Sequence, residues 1–98
     1  MYRDIITYEL TEGITKDHLL DVAQDIIDAW MKNLPGFISW EIHVSEDDKY
    51  TDIVSWKSKV DAKNAELEMM KIPNVGNWFA CYKEGSINSV ALKSVKRF

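Results

Sequence analysis

The stretch Phe37–Ser58, FISWEIHVSEDDKYTDIVSWKS, contains two alternating apolar segments separated by a short polar run. Alternation of this kind, rich in β-branched and aromatic residues, is typical of strands, and the run SEDDK at 45–49 predicts the turn between them. A slip of one residue would move every side chain to the other face of the sheet. Pairing Val44 with Tyr50 is the register that collects large apolar side chains on one face: Ile38, Trp40, Ile42, Tyr50, Val54 and Trp56.

The residues before this hairpin predict one strand and one long helix. Tyr2 to Leu10 alternates loosely and is rich in Ile, Thr and Tyr, which suits a strand. Thr15 is a good N-cap, and apolar residues then recur at spacings of three and four until Leu34. Pro35-Gly36 ends this amphipathic helix directly before the first strand of the hairpin.

The residues after the hairpin predict a second helical region and a last strand. Ser58 and Asp61 resemble a capping box at the start of a helix, which Pro73 interrupts. Asn74 can cap a short further helix that ends before Gly85. Ser86 to Val95 then forms a rather polar final strand.

The order of these elements predicts an α+β fold, the ferredoxin-like βαββαβ pattern, as one domain over residues 1–98. Right-handed crossovers place both helices on one face of a four-stranded antiparallel sheet. Both faces of the hairpin carry large apolar residues, and the chain has nothing left to cover the second face. We therefore expect a homodimer in which sheet packs against sheet.

Composition excludes several classes of partner. A net charge of −4 and an isoelectric point near 5.1 argue against binding to nucleic acid or to an anionic membrane. Cys81 is the only cysteine, so no internal disulfide can form. No apolar run approaches the roughly 18 residues that span a bilayer, and the first residues do not resemble a signal peptide. We expect a cytoplasmic protein.

Four segments resemble one known family along nearly the whole chain: LPGF at 34–37, FISWEI at 37–42, YTDIVSWKS at 50–58 and AKNAELEMM at 62–70. The chain resembles the antibiotic biosynthesis monooxygenase-like proteins of the dimeric α+β barrel superfamily. That resemblance implies a dimeric α+β barrel. It also implies, for some members, oxidation of easily deprotonated aromatic substrates without metal or flavin. The superfamily includes haem-degrading monooxygenases, ligand-binding regulatory domains and proteins of unknown role.

Haem and metal sites are not expected. The haem-degrading relatives hold iron through a histidine on the second helix, with an asparagine on the first strand. Here residues 60–82 contain no histidine and the first strand contains no asparagine. His18, His43 and Cys81 have no metal-ligand spacing. We therefore expect no cofactor.

A cofactorless oxygenase needs an apolar cavity, donors for a substrate oxyanion and a base. Asp52 is the leading candidate base, because on the apolar face desolvation would raise its pKa; the alternative is an edge position or a pair with a cation. His43 is the second candidate, since histidine titrates near neutral pH, although a lone strand histidine is more often solvated. The expected substrate-binding residues are aromatic walls and polar groups: Trp40, Tyr50, Trp56, Trp78, Phe79, Tyr8, Tyr82 and Asn88.

Two functions remain open at this point. One is a cofactor-independent monooxygenase or related enzyme that acts on an aromatic, polyketide-like small molecule. The other is a non-catalytic module of the same fold that binds a small ligand or a protein, with the aromatic residues serving the core and the dimer interface. An internal cavity that holds Trp56 and at least two convergent polar side chains would favour the enzyme.

Overall fold

The structure, a computed structural model, describes all 98 residues as four strands, three α-helices and two short 3-10 turns. The strands are β1 (Tyr2–Tyr8), β2 (Phe37–Val44), β3 (Tyr50–Trp56) and β4 (Asn88–Lys93). The helices are α1 (Lys16–Ala29), α2 (Lys59–Glu68) and α3 (Val75–Phe79), and the 3-10 turns are Met31–Asn33 and Met69–Lys71. None of the helices is both long enough and apolar enough to cross a membrane.

The strands form one antiparallel sheet in the order β2-β3-β1-β4. This order, with one helical connection after β1 and another after β3, is the βαββαβ ferredoxin-like arrangement. The predicted fold class is therefore confirmed. The last strand is shorter than the sequence predicted, since the ladder begins at Asn88 and ends at Lys93.

The helix starts follow from local hydrogen bonds. Thr15 Oγ1 accepts from the backbone N–H of His18 at 3.1 Å, and Ser58 Oγ accepts from the backbone N–H of Asp61 at 3.2 Å. Both predicted N-caps are confirmed. The prediction for Asn74 is wrong, because this residue has a left-handed backbone (φ 66°) and its side chain makes no capping hydrogen bond.

The first helix is also shorter than predicted. It ends at Ala29, and the remaining residues before Pro35 form the 3-10 turn Met31–Asn33. Gly36 follows with φ 77°, a conformation that glycine adopts readily. A Cβ atom built there would lie 2.0 Å from a carboxylate oxygen of Asp61. The close approach of Asp61 therefore also requires a residue without a side chain at this position.

The hairpin has the predicted register with one exception. Val44 lies opposite Tyr50 and Ile42 opposite Asp52, so Asp52 faces the helices. A bulge between Phe37 and Ser39 changes the first part of β2. Because of the extra residue, Phe37 lies opposite Trp56 and packs on the core, whereas Ile38 is 42% exposed. The prediction that Ile38 shares the inward face is therefore wrong.

Two apolar clusters fill the space between helices and sheet. The larger one includes Tyr2, Ile26, Val54 and Trp56. The smaller one consists of Tyr8, Leu19, Tyr50 and Cys81, and it closes the other end of the same sheet face. A cavity lined largely by residues of the larger cluster contains the candidate site.

The second face of the sheet carries no helix and displays a row of apolar side chains. Ile5 lies opposite Ile53 on one side and opposite Val90 on the other. Val90 and Leu92 of β4 are 49% and 51% exposed. We call Ile5, Ile53, Val90 and Leu92 the outer apolar row.

Candidate functional site

A cavity of about 510 Å³ lies between the inner face of the sheet and the helices. This volume is in the range of small-molecule sites. Its wall is mostly apolar and includes seven large aromatic side chains: Tyr2, Trp30, Trp40, Trp56, Trp78, Phe79 and Tyr82. Its polar side chains come from β1, β3, β4, α2 and the segment after α3.

Small side chains explain why this space stays open. Helix α2 faces the sheet with Ala62 and Ala65, both buried, and β4 contributes Ala91 to the same wall. Protein interiors are otherwise close-packed, so alanine at facing positions leaves volume unless longer neighbours reach across. The large rings of Trp40, Trp56 and Trp78 line the space without filling it.

Asp52 lies on the cavity wall, 2% exposed, and accepts two phenolic hydrogen bonds. Tyr8 Oη donates to Oδ1 at 2.6 Å, and Tyr82 Oη donates to Oδ2. Trp78 Nε1 donates in turn to Tyr82 Oη at 3.1 Å. No Lys, Arg or His forms an ion pair with the carboxylate. We call Asp52, Tyr8, Tyr82 and Trp78 the Asp52 cluster.

Burial and hydrogen bonding act in opposite directions on this carboxyl group. Burial raises the pKa of Asp52 above its ordinary value, while the hydrogen bonds from Tyr8 and Tyr82 lower that pKa. Burial also raises the pKa of both tyrosines, and the nearby Asp52 carboxylate raises it further. The phenols therefore remain protonated donors, and the carboxylate is the group that can exchange a proton.

A second carboxylate on the same sheet face was missed by the sequence analysis. Asp4 of β1 lines the cavity, is half-buried and lies opposite Val54. Its side chain accepts no hydrogen bond from any other group of the protein. Burial raises the pKa of Asp4, Lys63 lowers it and Glu66 raises it. An ionisable residue alternating with Tyr2, Ile6 and Tyr8 was the signal available in the sequence.

Each carboxylate has an indole beside it. Trp40 lowers the pKa of Asp52, and Trp56 lowers the pKa of Asp4. The Nε1 atoms of both indoles are nevertheless buried without a hydrogen-bond partner. Each N–H is thus near a carboxylate acceptor but not in hydrogen-bonding geometry, and each is a buried donor without a partner.

Comparison with known proteins gives the fold but no close relative. No protein-family model matches the chain, and no curated protein matches its sequence. SnoaB, a cofactor-independent oxygenase from Streptomyces nogalater, has a TM-score of 0.77 at 12% identity, covering 98% of this chain and 94% of its own. The chain has the fold of the antibiotic biosynthesis monooxygenases.

Two further structures share this monooxygenase-type fold: one belongs to an enzyme, and the other to a protein of unknown function. A monooxygenase from Streptomyces coelicolor, in complex with the ligand nanaomycin D, has a TM-score of 0.65 at 19% identity and covers 99% of this chain and 89% of its own. A dimeric ferredoxin-like protein of unknown function from Jannaschia sp. has a TM-score of 0.68 at 16% identity, covering 95% and 98%. The fold is therefore shared by enzymes and by proteins without a known activity.

On this monooxygenase fold, six of the residues selected from the sequence line the same cavity: Trp40, Asp52, Trp56, Trp78, Phe79 and Tyr82. Tyr8 lies behind Asp52. Tyr50 does not line the cavity, because it belongs to the smaller cluster and stacks on Tyr8 with ring centroids 5.8 Å apart.

Two selected residues lie elsewhere. Because Ile42 faces inward opposite Asp52, strand alternation places the neighbouring His43 on the outer face. His43 is exposed there, with Nε2 3.3 Å from a carboxylate oxygen of Glu41. Asn88 is exposed at the start of β4, opposite Thr7, and its carbonyl accepts from Thr7 Oγ1 at 3.4 Å. Neither residue belongs in the site.

No group of three or more His, Cys, Asp or Glu side chains could hold a metal ion.

Proposed function

We propose that the protein is a cofactor-independent oxygenase that oxidises an aromatic small molecule with an easily removed proton. The observation that carries this proposal is the position of Asp52, a buried carboxylate without a cation partner on the wall of an aromatic cavity. Burial raises the pKa of Asp52, which makes its carboxylate a better proton acceptor. The fold shared with cofactor-independent oxygenases supports the same assignment.

The reaction needs only the substrate, dioxygen and a base. A methylene group that lies between aromatic rings and is conjugated with a ring carbonyl loses one proton to Asp52. The resulting enolate, whose negative charge lies largely on the carbonyl oxygen, passes an electron to dioxygen. The two radicals combine to a peroxide, which takes a proton and then eliminates water to leave a ketone. The net change converts CH₂ and O₂ into C=O and H₂O. The mostly apolar wall reduces contact between the anion and bulk water.

Tyr82 is the residue that we assign to the developing oxyanion. Tyr82 lines the cavity, and its hydroxyl donates to Asp52 while that carboxylate is ionised. Once Asp52 has taken the substrate proton, its oxygen becomes a weaker acceptor. Tyr82 Oη can then donate to the substrate oxygen instead, and Trp78 Nε1 holds the phenol in place at 3.1 Å.

The second candidate function is binding of the same class of aromatic ligand without turnover. It is favoured by one observation: both oxygens of Asp52 already accept hydrogen bonds within the protein. In this alternative the Asp52 cluster stabilises the fold and the cavity serves only recognition. A stable complex and no oxygen uptake would be its signature.

Assembly and location form a separate proposal. We infer that a second copy of the chain covers the outer apolar row, as expected for a sheet face that no helix covers. A stable interface of this kind buries well over ~1,000 Å² in total. Light scattering should report a dimer at micromolar concentration; an 11.4 kDa monomer would refute it. The cytoplasm remains the location that we expect.

The oxygenase is tested by oxygen consumption. Purified protein, treated with EDTA, is mixed with anthrone, whose central methylene group is acidic and flanked by two rings. We expect oxygen uptake and formation of anthraquinone above the uncatalysed rate. The rate should fall by about 10²–10⁴ in Asp52→Asn, the usual loss for a general base. It should not change in Asp25→Asn, which removes an exposed carboxylate on α1. Anthraquinone formation no faster than in buffer would overturn the oxygenase.

A further inference from the structure

Asp4 is the one carboxylate of the cavity wall that the protein leaves without a hydrogen-bond donor. Its half-buried side chain lines the cavity, and no N–H or O–H group of the protein donates to it. Trp56 Nε1 lies beside it but makes no hydrogen bond. A half-buried carboxylate with no donor in the protein is open to a donor from a ligand or from water.

The position of Asp4 relative to Asp52 defines two polar points along the cavity. Asp4 lies opposite Val54, two residues from Asp52 on the neighbouring strand. Such diagonal neighbours on one face are about 7–8 Å apart. Asp52 is buried and accepts from Tyr82, which follows α3, whereas Asp4 is more exposed and lies near Lys63 and Glu66 of α2. One fused-ring ligand can therefore reach both carboxylates at once.

The charges around Asp4 indicate which ligand group fits. Lys63 and Glu66 of α2 also line the cavity, and Lys63 Nζ lies 3.3 Å from Glu66 Oε2. This pair is internally neutral, and both side chains are largely exposed. Lys63 acts on the pKa of Asp4 more strongly than Glu66 does, but the Lys63 ammonium is already paired with Glu66. An anionic group there would meet repulsion without a free cation to offset it.

We propose that Asp4 is the outer anchor of the ligand: its carboxylate accepts a hydrogen bond from a hydroxyl or ammonium group on the ring end remote from Asp52, and it disfavours a carboxylate at that end. The inference rests on the proposed aromatic ligand and adds the polarity of its second end. Asp4 would thus determine specificity and take no part in proton transfer.

A matched set of ligands tests this. The set consists of anthraquinones that carry a methyl, hydroxymethyl, aminomethyl or carboxyl group at the same ring position. Binding is measured by quenching of tryptophan fluorescence, since Trp40, Trp56 and Trp78 line the cavity. In the unmodified protein we expect the aminomethyl ligand to bind on the order of tenfold more tightly than the methyl ligand, as for a hydrogen bond to a charged group. The carboxyl ligand should bind most weakly.

Asp4→Asn should bring the four dissociation constants close together, and it preserves the shape of the side chain. Asp25→Asn makes the same chemical change on the exposed side of α1 and should leave the ranking unchanged. An Asp4→Asn variant that keeps the full preference for the aminomethyl ligand overturns the anchor. Failure of all four ligands to bind the unmodified protein overturns both the anchor and the aromatic ligand. Binding with the expected ranking but without oxygen uptake supports the anchor and removes only the oxygenase.

Discussion

Asp52 and Asp4 lie on the same face of the same sheet and differ in burial and in hydrogen bonding. Asp52 is 2% exposed and accepts hydrogen bonds from Tyr8 and Tyr82. Asp4 is half-buried and accepts none. A carboxylate held by two phenols has a fixed orientation, which proton transfer requires, whereas an unpaired carboxylate is open to a group from outside. In the proposals made above, this difference in burial and hydrogen bonding assigns proton transfer to Asp52 and ligand recognition to Asp4.

Removing an indole should have the largest effect on stability. The loss should differ between the indole beside Asp4 and the indole beside Asp52. Trp56 is 3% exposed, contacts Phe37 edge to face and lies beside Asp4. Trp56→Ala should lower the free energy of unfolding by about 3–5 kcal/mol, measured by chemical denaturation. Trp40→Ala, beside Asp52, should cost clearly less because Trp40 is only half-buried. Equal losses would show that Trp56 is not the main support of the cavity.

Tyr82→Phe should have the next largest effect. It distinguishes the role of Tyr82 from that of Tyr8, the other phenol that donates to Asp52. Loss of the oxyanion donor should lower the maximal rate by roughly 10²-fold. Loss of the hydrogen bond to Asp52 should also raise the pKa of Asp52, so that the rate rises with pH at a higher pH than in the unmodified protein. The measurement is kcat against pH.

Tyr8→Phe is the matched control for that measurement. Tyr8 also donates to Asp52, at 2.6 Å, but does not line the cavity. This variant should shift the pH profile in the same direction and keep most of the maximal rate. An equal loss of maximal rate in both variants would mean that Tyr82 has no separate role at the substrate.

The smallest expected effect is on stability as a function of pH. Burial raises the pKa of both carboxyl groups in the folded state. The stability that their protonated forms contribute is complete below the ordinary aspartate pKa and is lost as pH rises through the raised one. Asp52→Asn stays neutral, so its melting temperature relative to the unmodified protein should increase with pH across that interval. Asp4→Asn should show a smaller increase because Asp4 is half-exposed. A decrease for Asp52→Asn would contradict the raised pKa.

Local sequence patterns predicted most of the fold. The caps Thr15 and Ser58 are set by neighbours three residues away, and the hairpin register follows from which side chains are apolar. The bulge at Phe37–Ser39 escaped prediction because strand alternation assumes that no residue is inserted. The error over Ile38 has this cause.

The site was predictable only in part. Alternation placed Asp52 on the inward face, and it could also have placed His43 on the outer one and drawn attention to Asp4. The contact between Tyr82 and Asp52 joins residues 30 positions apart, through a segment after α3 that has no regular period. Which polar groups meet there depends on how α3 packs over the sheet. No pattern in the sequence specifies that packing.

The most direct test of the division between the two carboxylates is steady-state oxygen consumption by Asp52→Asn and Asp4→Asn, with an anthrone that carries a hydroxymethyl group on one outer ring. We predict that Asp52→Asn lowers kcat by about 10²–10⁴ and leaves KM nearly unchanged. We predict that Asp4→Asn raises KM on the order of tenfold and leaves kcat nearly unchanged. An Asp52→Asn variant with undiminished kcat, or an Asp4→Asn variant that loses kcat to the same extent, would contradict the account.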